Sequence, residues 1–380
     1  MSQIKQRIAY FESLRGLAAM VLVFFHLQAN TALVTNALVS NAWLMLDFFF
    51  LLSGCVITMA FHHQMNTGAG ISSFFKGRLL RLYPLHVLML LVFLGFECIK
   101  FLATARLGLS SEQAAFSSND LSSFVHNLFL TQMLFVDELT WNKPSWSISS
   151  EFWTYVAYAA LAYSLRHSER LFLWASAILA LSAFYFLYTH DMSAQHGLAR
   201  SLYAFFVGVL ISHVIRTSKI QLPTWTLNLS LTVTLVIICT GPWPYTESYS
   251  VFFSGIFIVL LLALFLTPED GAVKRALSNR YLVRLGTISF GIYLIHSAVW
   301  WIMAQTARVL VRLFPDIAPE ALQTDVLEVP WIANLILLIG VPLIIALGEL
   351  SYRKFEKPIY DLRWKPLSGF VPQFNQRDPN

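Results

Sequence analysis

The stretch from Phe11 to His26, FESLRGLAAMVLVFFH, is apolar enough to cross a membrane, yet it carries Glu12, Arg15 and His26. Arg15 and His26 have ten residues between them, which on a helix is about 16 Å along the axis and about 20° around it. Glu12 sits three residues before Arg15, on the same face and within pairing reach. Such groups are expensive in hydrocarbon, and within a span they ordinarily face a bundle interior or a water-filled path. A histidine beside a carboxylate is the usual device for taking a proton from a hydroxyl, because imidazole titrates near neutral pH and the carboxylate fixes its tautomer. The bland reading is a Glu12–Arg15 pair capping one helix end, with His26 snorkelling to the other. Polar groups at matching positions elsewhere in the chain argue against it.

Asp47 opens the run DFFFLLSG, with Ser53 and Gly54 deeper in it. The loop before the third span reads FFKGRLLRLYPLH and places Arg78 and Arg81 one turn apart at the cytoplasmic surface. A plain positive anchor accounts for that pair, but the planar arginine fork also suits phosphate. PSWSISSEFW brings in Glu151, and SFGIYLIH brings in Tyr293 and His296 near mid-span. By position along their spans, His26, Asp47 and Glu151 are expected at one depth, and Glu12, Arg15, Arg78 and Arg81 at the opposite one. That layout suits a group handed from a donor held by arginines to an acceptor on the far side.

The elements that must position these residues follow from composition. The chain has 380 residues, 57% hydrophobic and 12% charged, against about 25% charged in soluble proteins. Apolar runs of span length recur along it. They predict an all-α polytopic membrane protein with about ten transmembrane helices, at 9–29, 42–61, 83–103, 147–165, 170–188, 198–215, 226–241, 250–267, 286–307 and 331–350. The first run is long and is followed by no small-residue cleavage site, so it is expected to be a retained span. The longest loop, 104–146, contains HNLFLTQMLFV, too short to span and read as interfacial or re-entrant. With the N-terminus cytoplasmic, about 20 of the 26 Lys and Arg fall on the inner side, which places both termini inside. The basic residues are scattered over short loops, so no nucleic-acid partner is expected. Cys55, Cys98 and Cys239 lie in apolar runs without metal-ligand or CxxC spacing and read as buried hydrophobes. No metal site is expected.

In these motifs the chain resembles the acyltransferase-3 family of integral membrane O-acyltransferases, from Phe11 to about Lys357. The matching pieces are Arg15 and His26 at their spacing, DFFFLLSG, GRLLRLYP, WSISSEFW and FGIYLIH, in that order. The resemblance implies transfer of an acyl group, typically acetyl from acetyl-CoA, to a hydroxyl of an extracytoplasmic glycan such as O-antigen or peptidoglycan. It maps the family's arginine–histidine pair to Arg15 and His26, its R-x-x-R to Arg78 and Arg81, and its motif glutamate to Glu151. Two departures stand out. The chain reads E-S-L-R where many members read D-G-L-R, keeping the acid at Glu12 but placing Ser13 at the glycine. An SGNH esterase-like domain, fused to many members, is expected to be absent.

The expected organisation is an acyltransferase-3-like transmembrane domain over 1–360 and a short cytoplasmic tail over 361–380, in a bacterial inner membrane. His26, Glu151, Arg15 and Glu12 are the catalytic candidates. Arg15, Arg78 and Arg81 are the candidates for holding acyl-CoA, a co-substrate rather than a tightly bound cofactor. Asp47, Tyr293 and His296 are the candidates for the glycan or lipid-linked sugar acceptor. In this scheme His26 is the base, oriented by Glu151 or Asp47, and an acyl-enzyme on Ser53, Ser147 or Ser149 stands as a variant of it. The competing reading is a secondary transporter of a sugar or organic anion. Paired Gly/Pro-broken helices at matching positions of two halves would mark one, and the sequence shows none. A polysaccharide-export scaffold without chemistry is a further rival.

Overall fold

The computed structural model describes residues 3–107, 114–240, 244–269 and 271–363. Positions 364–380 of the expected tail and 108–113 of the long loop lie outside the described residues. The fold is all-α, with no strand among the described residues. The helices that build the bundle are α1 Gln3–Phe25, α2 Leu44–Phe61, α3 Gly68–Leu107, α4 Trp146–Ser164, α5 Glu169–Thr189 and α6 Gly197–Thr217. They continue with α7 Thr224–Cys239, α8 Ile256–Leu266, α9 Arg280–Thr287, α10 Ser289–Leu313 and α11 Pro330–Ser351. A π-helical turn, Tyr352–Glu356, then leads into α12, Lys357–Arg363.

Each expected span has a helical counterpart, but seven helices among the described residues are long and apolar enough to cross a membrane, not ten. The 16-residue α7 is too short for that criterion, and α1 and α4, which carry Glu12, Arg15 and Glu151, are not among the seven either. The expected span 83–103 differs in another way. Helix α3 begins at Gly68, runs for 40 residues and passes through Pro84. Its length is about 60 Å, roughly twice the hydrocarbon thickness of a bilayer. Arg78 and Arg81 thus sit on a continuous helix rather than in the loop before one.

Two close helix contacts fix the elements that carry the candidate residues. Helices α2 and α6 meet at Gly54 and Gly208. A Cβ on Gly54 would lie 2.0 Å from the Phe205 carbonyl oxygen, and one on Gly208 2.2 Å from that of Leu51. Helices α1 and α9 meet at Gly16 and Gly286, where a Cβ on Gly286 would lie 1.8 Å from the Glu12 carbonyl oxygen. Small residues that let backbones touch are the common means of helix association in lipid. The Ser13 hydroxyl, at the position of the glycine in the D-G-L-R pattern, donates to the Leu277 carbonyl, so α1 is also tied at that point.

Helix α5 shows the membrane-facing logic most plainly. Phe172, Ser176, Ala180, Ala183 and Leu187, small for the most part, are buried, while Trp174, Ile178, Leu181 and Tyr185 are exposed. Cys55 is buried, but Cys98 and Cys239 are exposed on apolar helices, so the expected burial holds for one of the three. In the long loop, HNLFLTQMLFV spans the end of a short helix, Leu121–Leu128, and a second one, Gln132–Phe135. The loop folds onto α4, where Ser149 Oγ and Trp153 Nε1 donate to the Leu130 carbonyl at 2.7 and 2.8 Å.

Candidate active site

Five helices surround a cavity of about 220 Å³. Helix α1 lends Glu12 and Arg15, α2 lends Ser53, α3 lends Arg78 and Arg81, α4 lends Ser147, Glu151 and Tyr155, and α10 lends Ser289 and Tyr293. Helical spacing explains the convergence. Ser147, Glu151 and Tyr155 recur every four residues and lie on one face of α4, while Arg78 and Arg81 are neighbours on the surface of α3.

The charged groups differ in how they are held. Arg15 Nη1 donates to Glu12 Oε1 at 3.0 Å, with both side chains about a quarter exposed. The Arg78 guanidinium lies over the rings of Phe61 and Phe74, with 5.0 and 5.8 Å to their centroids. Arg81 makes no direct hydrogen bond or ion pair among the described residues, although Glu12, Glu151 and Tyr360 of α12 lie within electrostatic reach. Its five N–H donors are available to a ligand in a way those of Arg15 are not. Glu151 Oε1 accepts from Ser53 Oγ at 2.7 Å and from the Tyr155 hydroxyl. Two hydroxyls therefore hold this carboxylate oxygen.

Tyr293 closes one side of the cavity. Its hydroxyl lies 2.9 Å from Ser147 Oγ and donates to the Pro144 carbonyl at 2.8 Å. Behind it the Tyr293 and His296 rings are 5.8 Å apart between centroids, and those of His296 and His26 4.9 Å. His296 is fully buried and His26 is half-buried. His26 Nδ1 lies 2.8 Å from the Leu22 carbonyl oxygen, one turn back on its own helix. A carbonyl oxygen only accepts, so Nδ1 carries the proton and Nε2 keeps its lone pair. His26 is thus presented as a base by its own backbone.

This differs from the expected arrangement in one contact. Neither Glu151 nor Asp47 hydrogen-bonds His26; the Leu22 carbonyl takes the place assigned to them. Glu151 lines one cavity with Arg78 and Arg81. Asp47 does not line the cavity. Its carboxylate pairs with Arg200 of α6, Oδ1 to Nε and Oδ2 to Nη2, both at 3.1 Å, with the two side chains 1% and 2% exposed. Six of the nine expected residues (Glu12, Arg15, Arg78, Arg81, Glu151 and Tyr293) therefore line one cavity, and His26 and His296 form a pair behind it.

Sequence reading missed Tyr155, Arg200 and a carboxylate–imidazole pair at Asp191 and His196. Tyr155 had a signal in its four-residue spacing from Glu151. Arg200 had one as well, being a lone charge in the apolar run GLARSLYAFF. Among the described residues no group of three or more metal-ligating side chains is present.

A family model described as an acyltransferase domain, acyltransferase-3, matches residues 8–349. Comparisons with curated proteins and with solved structures return no match. The matched region takes in every helix that lines the cavity and every motif in which the charged residues were found, and the chain belongs to the acyltransferase-3 family of membrane acyltransferases.

Proposed function

We propose that this membrane acyltransferase takes its acyl group, acetyl first among the candidates, from acyl-CoA and passes it to a hydroxyl of an extracytoplasmic glycan. The observation that carries this reading is the cavity in which Arg81, with no direct hydrogen bond or ion pair among the described residues, stands beside Arg78 and Arg15. An anionic, multiply phosphorylated donor suits that wall, since arginine forks bind phosphate bidentately. The arginine end faces the cytoplasm in this proposal, as do both termini, in a bacterial inner membrane. The donor is a co-substrate and no resident cofactor is required.

His26 takes the proton of the acceptor hydroxyl at Nε2, and the resulting oxygen attacks the thioester carbonyl. The C–S bond breaks, the CoA thiolate leaves, and the proton on His26 passes to it. The products are an O-acyl ester and free CoA, with no oxidant or reductant involved. As the ring charges, the Leu22 carbonyl still accepts from Nδ1, so no partner has to move. Glu151 and its hydroxyl pair line the path between the arginines and Tyr293, while His296 backs the His26 ring.

The test is CoA release by the purified protein in lipid, with acetyl-CoA and glycan acceptors supplied together and singly. Release that requires an acceptor and falls by about 10²–10⁴-fold in His26→Ala is expected, the range a positioned general base contributes. Undiminished release by that variant, folded and with unchanged donor binding, overturns the role of His26.

A further inference from the structure

The turn between α5 and α6, at the end of the bundle away from the arginines, holds a second polar arrangement. His196 Nδ1 lies 2.7 Å from Asp191 Oδ1, which also accepts the Ser193 backbone N–H at 2.8 Å. Burial alone raises the Asp191 carboxyl from its ordinary range, but the hydrogen bonds from Ser193 and His196 outweigh it and hold the group ionised. The carboxylate fixes the Nδ1–H tautomer of His196, leaving Nε2 as an acceptor. Nε2 makes no hydrogen bond among the described residues, and both side chains are about a quarter exposed.

The turn is built rather than loose. Arg200 Nη1 donates to the Met192 carbonyl at 2.8 Å, and the Met192 N–H donates to the Tyr245 carbonyl at 2.8 Å. Met192 is fully buried. The same guanidinium lies over the Trp146 ring, 5.5 Å from its centroid, and Trp146 precedes the cavity-lining Ser147. Arg200 thus holds the Asp191–His196 pair in fixed register with the first turn of α4.

Aromatic faces flank the pair. The exposed Phe186 and His190 rings are stacked at 4.1 Å and 17°. Both rings stand beside the imidazole of the pair, with centroids 5.3 Å (Phe186) and 5.4 Å (His190) from that of His196. A membrane-interface belt accounts for scattered tyrosines. It does not account for a carboxylate and an imidazole oriented toward each other with one ring nitrogen left open. Ring faces beside convergent acceptors match a ligand with an apolar C–H face and several hydroxyl donors.

From this geometry we infer that Asp191 and His196, flanked by Phe186 and His190, form a carbohydrate-binding subsite that holds the acceptor away from its reacting hydroxyl. His196 Nε2 and the second Asp191 oxygen accept from sugar hydroxyls, and the rings cover the C–H face. These are positioning residues for the acceptor, and the role rests on the transfer reaction proposed above. Their binding of sugar is measurable without it.

The experiment is saturation-transfer NMR from the protein in lipid nanodiscs to two probes, chitotetraose and maltotetraose. Wild-type protein is expected to transfer saturation to at least one of them. His196→Ala and Asp191→Asn are expected to lose at least four-fifths of that signal, and His196→Gln to keep part of it. Asp191→Asn retains an oxygen for the Ser193 N–H, so it tests the charge without removing the turn. His213→Ala, at the opposite end of α6, is expected to leave the signal unchanged. No transfer from wild type to either probe, or full transfer in folded His196→Ala and Asp191→Asn, overturns the assignment. Sugar binding that persists in a protein unable to release CoA would instead leave this subsite standing and bring down the proposed transfer.

Discussion

The buried pair between Asp47 and Arg200 makes an asymmetric prediction. Asp47 has Arg200 as its hydrogen-bond partner and no other among the described residues. Arg200 has more: the Met192 and Trp43 carbonyls at 2.8 and 2.9 Å, and the faces of Trp43 and Trp146. Removing Arg200 therefore strands a carboxylate that is 1% exposed, together with the Met192 carbonyl, while the Trp43 carbonyl keeps the Leu46 N–H. Breaking a buried pair in this way costs about 3–5 kcal/mol, and Arg200→Met belongs at the upper end. Asp47→Asn keeps one oxygen to accept from Arg200, whose remaining partners stay in place. Its cost is that of weakened charge-assisted hydrogen bonds, about 1.5–3 kcal/mol. Asp47→Leu combined with Arg200→Met removes both charges and is expected to cost less than Arg200→Met alone, although it changes more atoms. The assay is the temperature at which the monodisperse size-exclusion peak is lost in detergent, with the midpoints falling in the order wild type, Asp47→Asn, the double variant, Arg200→Met. An Asp47→Asn midpoint at or below that of Arg200→Met refutes the reasoning. An unchanged midpoint with lost transfer would show instead that Asp47 acts on the acceptor directly.

Arg81→Gln is expected to weaken acyl-CoA binding by roughly 10- to 150-fold, the equivalent of about 1.5–3 kcal/mol for lost charge-assisted hydrogen bonds. Arg15→Gln is expected to weaken it less, because Glu12 already occupies Arg15; titration of acetyl-CoA into each variant in lipid measures both. Gly54→Ala must push a methyl group into the Phe205 carbonyl oxygen, so it is expected to lower the melting midpoint by the equivalent of at least about 1–3 kcal/mol. Gly95→Ala on α3 meets nothing within 4 Å and is expected to be neutral or stabilising by about 0.5–1 kcal/mol, so a similar fall for both would refute the close contact of α2 with α6.

How much of this was legible in the sequence depends on the kind of information. Charged residues inside apolar runs stand out whatever the fold, and Glu12, Arg15, Arg78, Arg81 and Glu151 were found that way. What they touch was not legible. Asp47 meets Arg200 across 153 positions, a pairing that neither periodicity nor spacing encodes. His26 was assigned a distant carboxylate, although the carbonyl four residues before it was the nearer solution and the one the structure shows. The cavity that Glu151 shares with Arg78 and Arg81 was not legible either, because position along a helix says nothing of which face the neighbours leave open. Seven of the described helices, rather than ten, are long and apolar enough to span. Apolar length marks helices well, but α4 turns a serine- and glutamate-bearing face to the cavity, and α7 stops at 16 residues.

The distribution of constraint across the bundle bears on the transfer proposed above, between a donor on one side of a membrane and an acceptor on the other. From Asp47 to Phe61 the axis of α2 covers about 21 Å. At the Phe61 end Arg78 lies over the ring, and toward the Asp47 end Arg200 binds the turn that carries Asp191 and His196. The contact of α2 with α6 lies between them, with backbones touching at Gly54 and Gly208, so the two ends are joined by an element with little freedom to slide. The side chains facing the cavity are less constrained, since Arg81 has no direct partner among the described residues and Glu151 is held by two hydroxyls. A carrier that exposes one site alternately to each side must move repeats against each other, and a backbone contact of this kind opposes that. Transfer between fixed sites needs only that the acyl group and the acceptor meet between them. The rigid α2–α6 contact, the open arginine at one end and the oriented histidine on α1 are the division of labour such a transfer requires.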